Sequence, residues 1–502
     1  MKKYLFILLF IFSSNNFVFS QYKNSIWCFG DSALINFSDT ANIITGSCAI
    51  RSRGSCVSIA DNNDSLLFYA NTRATMAGNT TLVYNRENQV MVNGSNVHGE
   101  GWYHELIIIP MPGSDSLFYL FTIGVTGSSS YGLKYSIIDM SLDSGRGEVI
   151  QKNIQLQSFE MVDCLSAMKH GNGRDWWILF RKSDFQSGGS NNDWYEYLIT
   201  PTGISSIILQ NKGSLNSTNL GKISFSSDGE MICFSNYKGL IELYSFDRCT
   251  GVIDSLQNIS PETQPIPYGW SSEFSLNGQV LYVSTHPVEN YLFQYDLTAP
   301  NISLTKDTIW TSSFPTYAAG DLKLAPDNKI YFSSTYYNGF QFPYPYPDTV
   351  YNIYNMNLSV INSPDSLGAA CDFQPFSFYL GGKRTYWGLP NNPDYELGAW
   401  VSSPCDTLGV GIEELEAKNN AELFVYYHPA WQTAFINAQK LKGRKYGLHV
   451  YDILGKEIFK QKGKLFTEYF TKDFQMQNFS NGIYIISFET EKEKLIKKFI
   501  KN

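Results

Sequence analysis

Through most of this chain, short runs of alternating apolar and polar residues are broken at close intervals by Gly, Asn, Asp or Ser. The clearest unit is Lys222–Leu256, KISFSSDGEMICFSNYKGLIELYSFDRCTGVIDSL, which predicts four strands: Ile223–Phe225, Met231–Ser235, Leu240–Phe246 and Val252–Leu256. Ser227-Asp228-Gly229, Asn236–Gly239 and Asp247–Gly251 separate them. Asp-Gly and Lys-Gly supply the positive φ of tight turns, and the runs between are β-branched and aromatic. One such meander cannot bury both its faces alone, whereas copies set around an axis can.

The unit recurs at Ser275–Tyr282 (SLNGQVLY) and Ala325–Phe332 (APDNKIYF). Weaker copies stand at Asp61–Phe68 (DNNDSLLF), Gly113–Leu120 (GSDSLFYL) and Gly171–Leu179 (GNGRDWWIL). A seventh anchor is Tyr379–Trp387, where YLGG precedes KRTYW. The spacing of roughly 50–58 residues suits four-stranded blades of a WD40-like repeat. The expected fold is therefore all-β, a β-propeller of seven blades, with six and eight the adjacent alternatives. In this reading the last blade takes a strand from the N-terminus, Ser25–Phe29, to close the ring.

Composition agrees with that picture. At 502 residues the chain exceeds one compact core, and 17% charged residues, 15% aromatics and 39 glycines favour short strands over helices. No long 3.6-period apolar face is present. Residues 1–20 read as a signal peptide: Lys2 and Lys3, the apolar Tyr4–Phe12, then Val18-Phe19-Ser20 before Gln21. No later stretch has the ~20 apolar residues of a membrane span. Export permits disulfides among Cys28, Cys48, Cys56, Cys164, Cys233, Cys249, Cys371 and Cys405. Spacing does not choose among the 105 complete pairings of eight thiols, and a mixture of buried thiols and a few bridges is expected. No cysteine or histidine spacing suggests a zinc site.

Candidate chemistry is sparse. Phe29-Gly30-Asp31-Ser32-Ala33-Leu34 resembles the nucleophile block of GDSL-type esterases. None of the six histidines, however, has the Asp three residues earlier that such a site uses, so a strand-to-turn segment is the expectation. His98, Glu100 and His104 are the candidate metal ligands, set against simple polarity of a loop punctuated by Gly99 and Gly101. The densest aromatic stretch, Tyr336–Tyr354, offers Tyr336, Tyr337, Phe340, Tyr344 and Tyr346 as ligand contacts for sugar rings or peptide. The competing reading packs that loop onto its own blade. Trp176-Trp177 and Trp194-Tyr195 read as blade packing. No P-loop, HExxH, GxSxG or EF-hand pattern occurs, and no cofactor is expected.

Tyr131–Met140 (YGLKYSIIDM) with Gly145–Asn153 (GRGEVIQKN), Cys56–Phe68 (CVSIADNNDSLLF) and Ile361–Pro390, with its INSPDSLGAAC, FYLGG and GLP, resemble segments of a propeller found on secreted Bacteroidetes proteins. The resemblance spans roughly residues 25–389 and implies fold, not activity.

After Trp400 the pattern changes. Ser402–Asn420 reads as a linker. Short alternating runs follow at Leu423–Tyr427, Thr433–Ile436, Gly447–Asp452, Glu457–Lys460, Lys464–Phe470, Gly482–Glu489 and Lys494–Ile500, which predict a small β-sandwich. This part resembles the type A sorting domain of the type IX (Por) secretion system. The resemblance rests on Tyr451, Asp452, Gly455 and Lys456 of VYDILGK, on Gly482, Ile483 and Tyr484 of SNGIYII, and on Lys497 and Lys498 of KKFIK. Gly411-Ile412-Glu413-Glu414 matches its lead-in. Tyr427-His428-Pro429-Ala430 departs from the family's Tyr-Pro-Asn-Pro. The resemblance implies passage through the periplasm, recognition by outer-membrane machinery, and removal of the domain at the surface.

Residues 439–502 carry fourteen Lys/Arg against seven Asp/Glu, in a chain of net charge −8, so the remainder is acidic. An acidic body argues against nucleic acid and anionic lipid as partners, which want basic patches. The expected layout is signal peptide 1–20, propeller 21–402, linker 403–420 and sorting domain 421–502. The expected function is a secreted or surface-bound, non-enzymatic module for a glycan or protein ligand. The alternatives are a polysaccharide- or peptide-cleaving hydrolase or lyase with its site on the propeller axis, and a passive surface component.

Overall fold

The computed structural model describes residues 22–72, 80–127, 130–262, 269–285, 291–317, 320–336, 349–406, 421–428, 432–453, 455–465 and 467–501. The signal peptide and residues 407–420 lie outside them. Among the described residues, seven antiparallel meander sheets follow one another between residues 26 and 379. Their first strands are Ile26–Phe29, Cys56–Ala60, Leu106–Pro110, Ser166–Lys169, Gly221–Phe225, Gly269–Phe274 and Leu322–Leu324. Each packs against the first strand of the next sheet. The circle closes where Trp27 and Phe37 meet Tyr331 of the last sheet, with ring centroids 5.9 and 5.5 Å away.

Burial explains the order of strands. Ile26–Phe29, Cys56–Ala60 and Gly269–Phe274 are buried along their whole length, while the outermost strands Glu148–Gln155 and Asp307–Thr311 are largely exposed. A sheet standing edge-on to an axis has neighbours on both faces near the centre and water at its rim. The protein is a β-propeller.

Local chemistry places the turns as the sequence predicts. In the clearest unit the strands are Gly221–Phe225, Met231–Asn236, Ile241–Phe246 and Ile253–Ser260. Gly229, at φ 75°, donates its amide to the Ser226 carbonyl. The first six anchors each join the first and second strands of a sheet. The seventh does not: Tyr379 ends the strand Phe373–Tyr379 and no sheet follows in the ring. Nor does the N-terminal strand complete the last sheet, which already has four strands of its own. Ile26–Phe29 instead leads a three-stranded sheet with Asp31–Asn36 and Ile44–Arg51. Gly30 makes its turn, because a Cβ there would lie 2.5 Å from the Arg384 carbonyl oxygen. The GDS block is thus a ring-closing turn. Asp31 exchanges backbone hydrogen bonds with Arg384 and accepts from its Nε at 2.8 Å.

Residues 384–400 run from this closure across the centre of the ring. Trp387 N donates to the Arg53 carbonyl at 3.0 Å and Asn391 N to that of Cys56 at 2.9 Å. The Asn391 amide group reaches the Leu106 and Leu165 carbonyls, and the Tyr395 hydroxyl reaches that of Ile108. The second, third and fourth sheets are thereby tied to one strap. Cys405 bonds Cys249 across 156 residues, while the other six cysteines are buried thiols. Cross-linking a loop that long restricts the unfolded chain, so Cys405→Ser is expected to lower unfolding free energy by about 2–4 kcal/mol. Urea denaturation under non-reducing conditions reads it.

The C-terminal unit has two facing sheets. Glu422–His428, Thr433–Gln439 and Phe470–Gln475 form one; Glu457–Lys464, Lys445–Asp452, Gly482–Thr490 and Lys494–Lys501 form the other. Ile436, Ala434 and Phe474 meet Leu448, Val450, Ile486 and Phe488 between them. One expected strand is displaced: Lys464 ends a strand and the next strand begins at Phe470. Its inward face is set by Phe474, which the run Lys464–Phe470 does not contain.

Candidate functional site

The His/Glu group does not converge. His98 Nε2 lies 3.1 Å from the Ser130 carbonyl, and burial, then Lys134, lower its pKa to about 4. The Glu100 carboxylate accepts the Val125 amide at 2.9 Å and the Thr126 hydroxyl at 2.8 Å. His104 points to Asp321, with Nε2 and Oδ1 3.5 Å apart. Glu105 lies beneath them and accepts the amides of Glu100 and Gly101; burial raises its pKa to about 8. Among the described residues no three His, Cys, Asp or Glu side chains are grouped to hold a metal.

Of the aromatic candidates, Tyr336 stacks on Tyr354 at 6.1 Å, and Tyr354 meets Phe376 of the last sheet edge-on at 5.2 Å. Tyr337, Phe340, Tyr344 and Tyr346 lie outside the described residues. Trp176, Trp177 and Trp194 are fully buried between sheets.

The charged centre lies elsewhere, on the inner strands of the last three sheets. Lys222 Nζ donates to Asp321 Oδ1 at 2.6 Å, to Ser271 Oγ at 3.0 Å and to the Leu322 carbonyl at 2.7 Å. Ser271 donates to the same Asp321 oxygen at 2.7 Å, and the Leu389 amide of the strap approaches Asp321 Oδ2 at 3.4 Å. Burial alone would raise the Asp321 pKa. Lys222 and then His104 overcome it and hold the carboxyl far below its usual range. Below this pair, Glu273 has Lys222 Nζ at 3.9 Å, and Lys323 Nζ donates to the Asn392 carbonyl at 2.6 Å. Burial raises the Glu273 pKa against the pull of Lys222 and Lys323, and lowers that of Lys323 against Glu273.

On one side of this network sits a buried aromatic layer. Trp270 lies 4.5 Å from Trp387 and 4.7 Å from Tyr103, with Tyr386 beside them and the Arg53 guanidinium over the Tyr103 ring. On the other side is a cavity of about 90 Å³. Sequence reasoning passed over these groups, yet a signal existed. KISFSSDG, SSEFSLNG and DLKLAPDN each carry a charge in the run before a repeat turn, where a buried inner strand calls for apolar residues.

The sorting-motif residues divide by role. Asp452 accepts the Lys456 amide at 2.9 Å and Gly455 takes φ 80°, so these three build a hairpin turn. Tyr484 is buried against Phe499, its hydroxyl donating to the Ser480 carbonyl, and Gly482 begins the same strand. Lys497 faces the half-buried inner side. Tyr451, Ile485 and Lys498 form one cross-strand row on the outward face, beside Ile483 and the exposed Ile496 and Ile500.

Residues 425–502 match the family described as the secretion system C-terminal sorting domain. No curated protein matches the chain. Among solved structures it is similar to a putative 6-phosphogluconolactonase from Bacteroides fragilis, with 11% identity, TM-score 0.42 and coverage of 73% of this chain and 98% of that one. It is also similar to the periplasmic gluconolactonase PpgL of Pseudomonas aeruginosa, with 10% identity, TM-score 0.38 and coverage of 82% and 99%. A quinonprotein alcohol dehydrogenase-like protein from Bacteroides thetaiotaomicron has 11% identity, TM-score 0.36 and coverage of 73% and 75%. The C-terminal match marks a protein secreted through the type IX system to the cell surface or beyond. No helix among the described residues is long and apolar enough to cross a membrane.

Proposed function

We propose that the propeller is a non-enzymatic binding module which the sorting domain delivers to the cell exterior. One observation carries this reading: the axis, where an axial hydrolase would place its cleft, is crossed by residues 384–400 of the chain itself. A buried carboxylate beside the strap, Asp321, is committed to Lys222 and Ser271 and kept ionised, so it is a poor proton donor or base. A macromolecular ligand then belongs on the face that bears Tyr336. Trp270 and Trp387 form a rigid floor behind it.

The test is a glycan and peptide array probed with the purified full chain. Binding to a defined glycan or peptide is expected, and replacing Tyr344 and Tyr346 by alanine should weaken it about tenfold. Binding that survives both substitutions would remove the aromatic stretch from the site. Release of new reducing ends or peptide fragments would replace the binding reading with the hydrolase.

A further inference from the structure

The strap's hydrogen bonds to Cys56, Leu106, Ile108 and Leu165 hold it to the second, third and fourth sheets, and those of Trp387, Leu389 and Asn392 hold it to the last. Across from these, the inner strands Gly221–Phe225, Gly269–Phe274 and Leu322–Leu324 face strap residues 390–394 over the cavity of about 90 Å³. Its floor is charged. Lys222 there is saturated by Asp321, Ser271 and the Leu322 carbonyl.

Glu273 and Lys323 are held differently. Lys323 Nζ spends one of its three donors on the Asn392 carbonyl. The nearest cation to the Glu273 carboxylate is Lys222 at 3.9 Å, longer than a hydrogen bond. Glu273 is 8% exposed. Glu273 accepts the Leu324 amide, yet a buried carboxylate beside a half-buried ammonium, each with hydrogen-bonding capacity left, is costly to a fold that needs neither. Half-buried Ser227, Phe225, Lys323 and Asp394 stand at the mouth, so the cavity can be reached from the face that carries the first-to-second-strand turns.

We infer that this cavity is a binding site for a small zwitterion, an α-amino acid of the size of glycine, alanine or serine. The ligand's carboxylate sits on Lys323 and its ammonium on Glu273. A cavity of about 90 Å³ suits a small solute rather than a macromolecule. Apolar Ile223, Phe274 and Pro393 complete the wall and leave room for a short side chain. The inference rests on the binding reading of the propeller but names a different site from the aromatic face.

Thermal unfolding and titration calorimetry of the full chain with glycine, L-alanine and L-serine test it, with acetate and methylamine as half-ligands. At least one amino acid should raise the unfolding midpoint and give a saturable heat, and each half-ligand should bind at least about tenfold more weakly. Glu273→Gln and Lys323→Met should each abolish the response. Because either change could alter folding, Glu273→Asp and Lys323→Arg are the companions, expected to keep the charge pattern and part of the binding. No response to any of the three amino acids would overturn the inference, as would equal binding of acetate or an unchanged affinity in both charge-removing variants. Such a failure beside a positive array leaves the binding module standing. A silent array beside a positive titration retires the aromatic face instead.

Discussion

Asp321→Ala is expected to be the most destabilising single substitution in the ring, lowering unfolding free energy by about 3–5 kcal/mol. Asp321 and Lys222 are both buried, and their 2.6 Å contact is the shorter of the two ion pairs Lys222 makes, Glu273 standing off at 3.9 Å. Removing the carboxylate leaves an ammonium in low dielectric, where its Coulomb partner cannot be replaced by water. It also removes the acceptor of Ser271 and the neighbour of His104. Urea denaturation at neutral pH gives the number, and a loss under about 1 kcal/mol would show that water reaches Lys222. The double variant Lys222→Met with Asp321→Leu separates charge from packing. With both ions gone it should recover most of the loss, since apolar pairs of similar volume often replace buried ion pairs without cost. The pH dependence has a definite sign. A carboxyl whose pKa is depressed by folding contributes stability above its unfolded value, about 4, and loses that contribution as pH falls toward the folded value. The gap between wild type and Asp321→Ala should therefore be full at pH 7 and shrink in acid.

Removing residues 425–502 is expected to abolish export and leave the propeller in the periplasm. This segment is the part that matches a sorting domain, and it folds around its own core of Leu448, Val450, Ile486 and Phe488. Immunoblots of medium, surface and periplasmic fractions read the outcome. Val450→Asp, which buries an unpaired charge in that core, should act like the truncation by unfolding the sandwich. Lys498→Glu keeps the core and reverses a charge on the outward row with Tyr451 and Ile485. A fall in export with an intact fold would assign recognition to that face. Undiminished secretion of the truncated chain would overturn the sorting role.

Much of this architecture was readable as local pattern. Six repeat turns fall where Asp-Gly, Asn-Gly and their neighbours stand, and the strands of Lys222–Leu256 agree with the structure to within a few residues. Period and turn chemistry are properties of adjacent residues, so a sequence carries them openly. The same holds in the sandwich at Gly455, where a turn needs a positive φ. The misplaced strand at Lys464–Phe470 went the other way: an alternating run continues past the point where the core stops receiving it.

The site was far less readable. His98, Glu100 and His104 are close in sequence, and that closeness suggested a cluster. Yet alternate strand and loop positions send their side chains toward Ser130, Thr126 and Asp321. Lys222, Glu273 and Lys323 are 50 or more residues apart and meet because each occupies an inner strand.

The sequence alone determined that this protein is a ring of hairpin sheets with an exported address at its end, because alternation, turn residues and motif spacing are local. Only the tertiary structure decided how the ring shuts and what fills its centre. The Asp31–Arg384 closure spans 353 residues, the Cys249–Cys405 bridge 156, and the Lys222–Asp321 pair 99. Contacts at such separations leave no periodic trace. They follow from which strands become innermost, and that is settled only when all the sheets have packed.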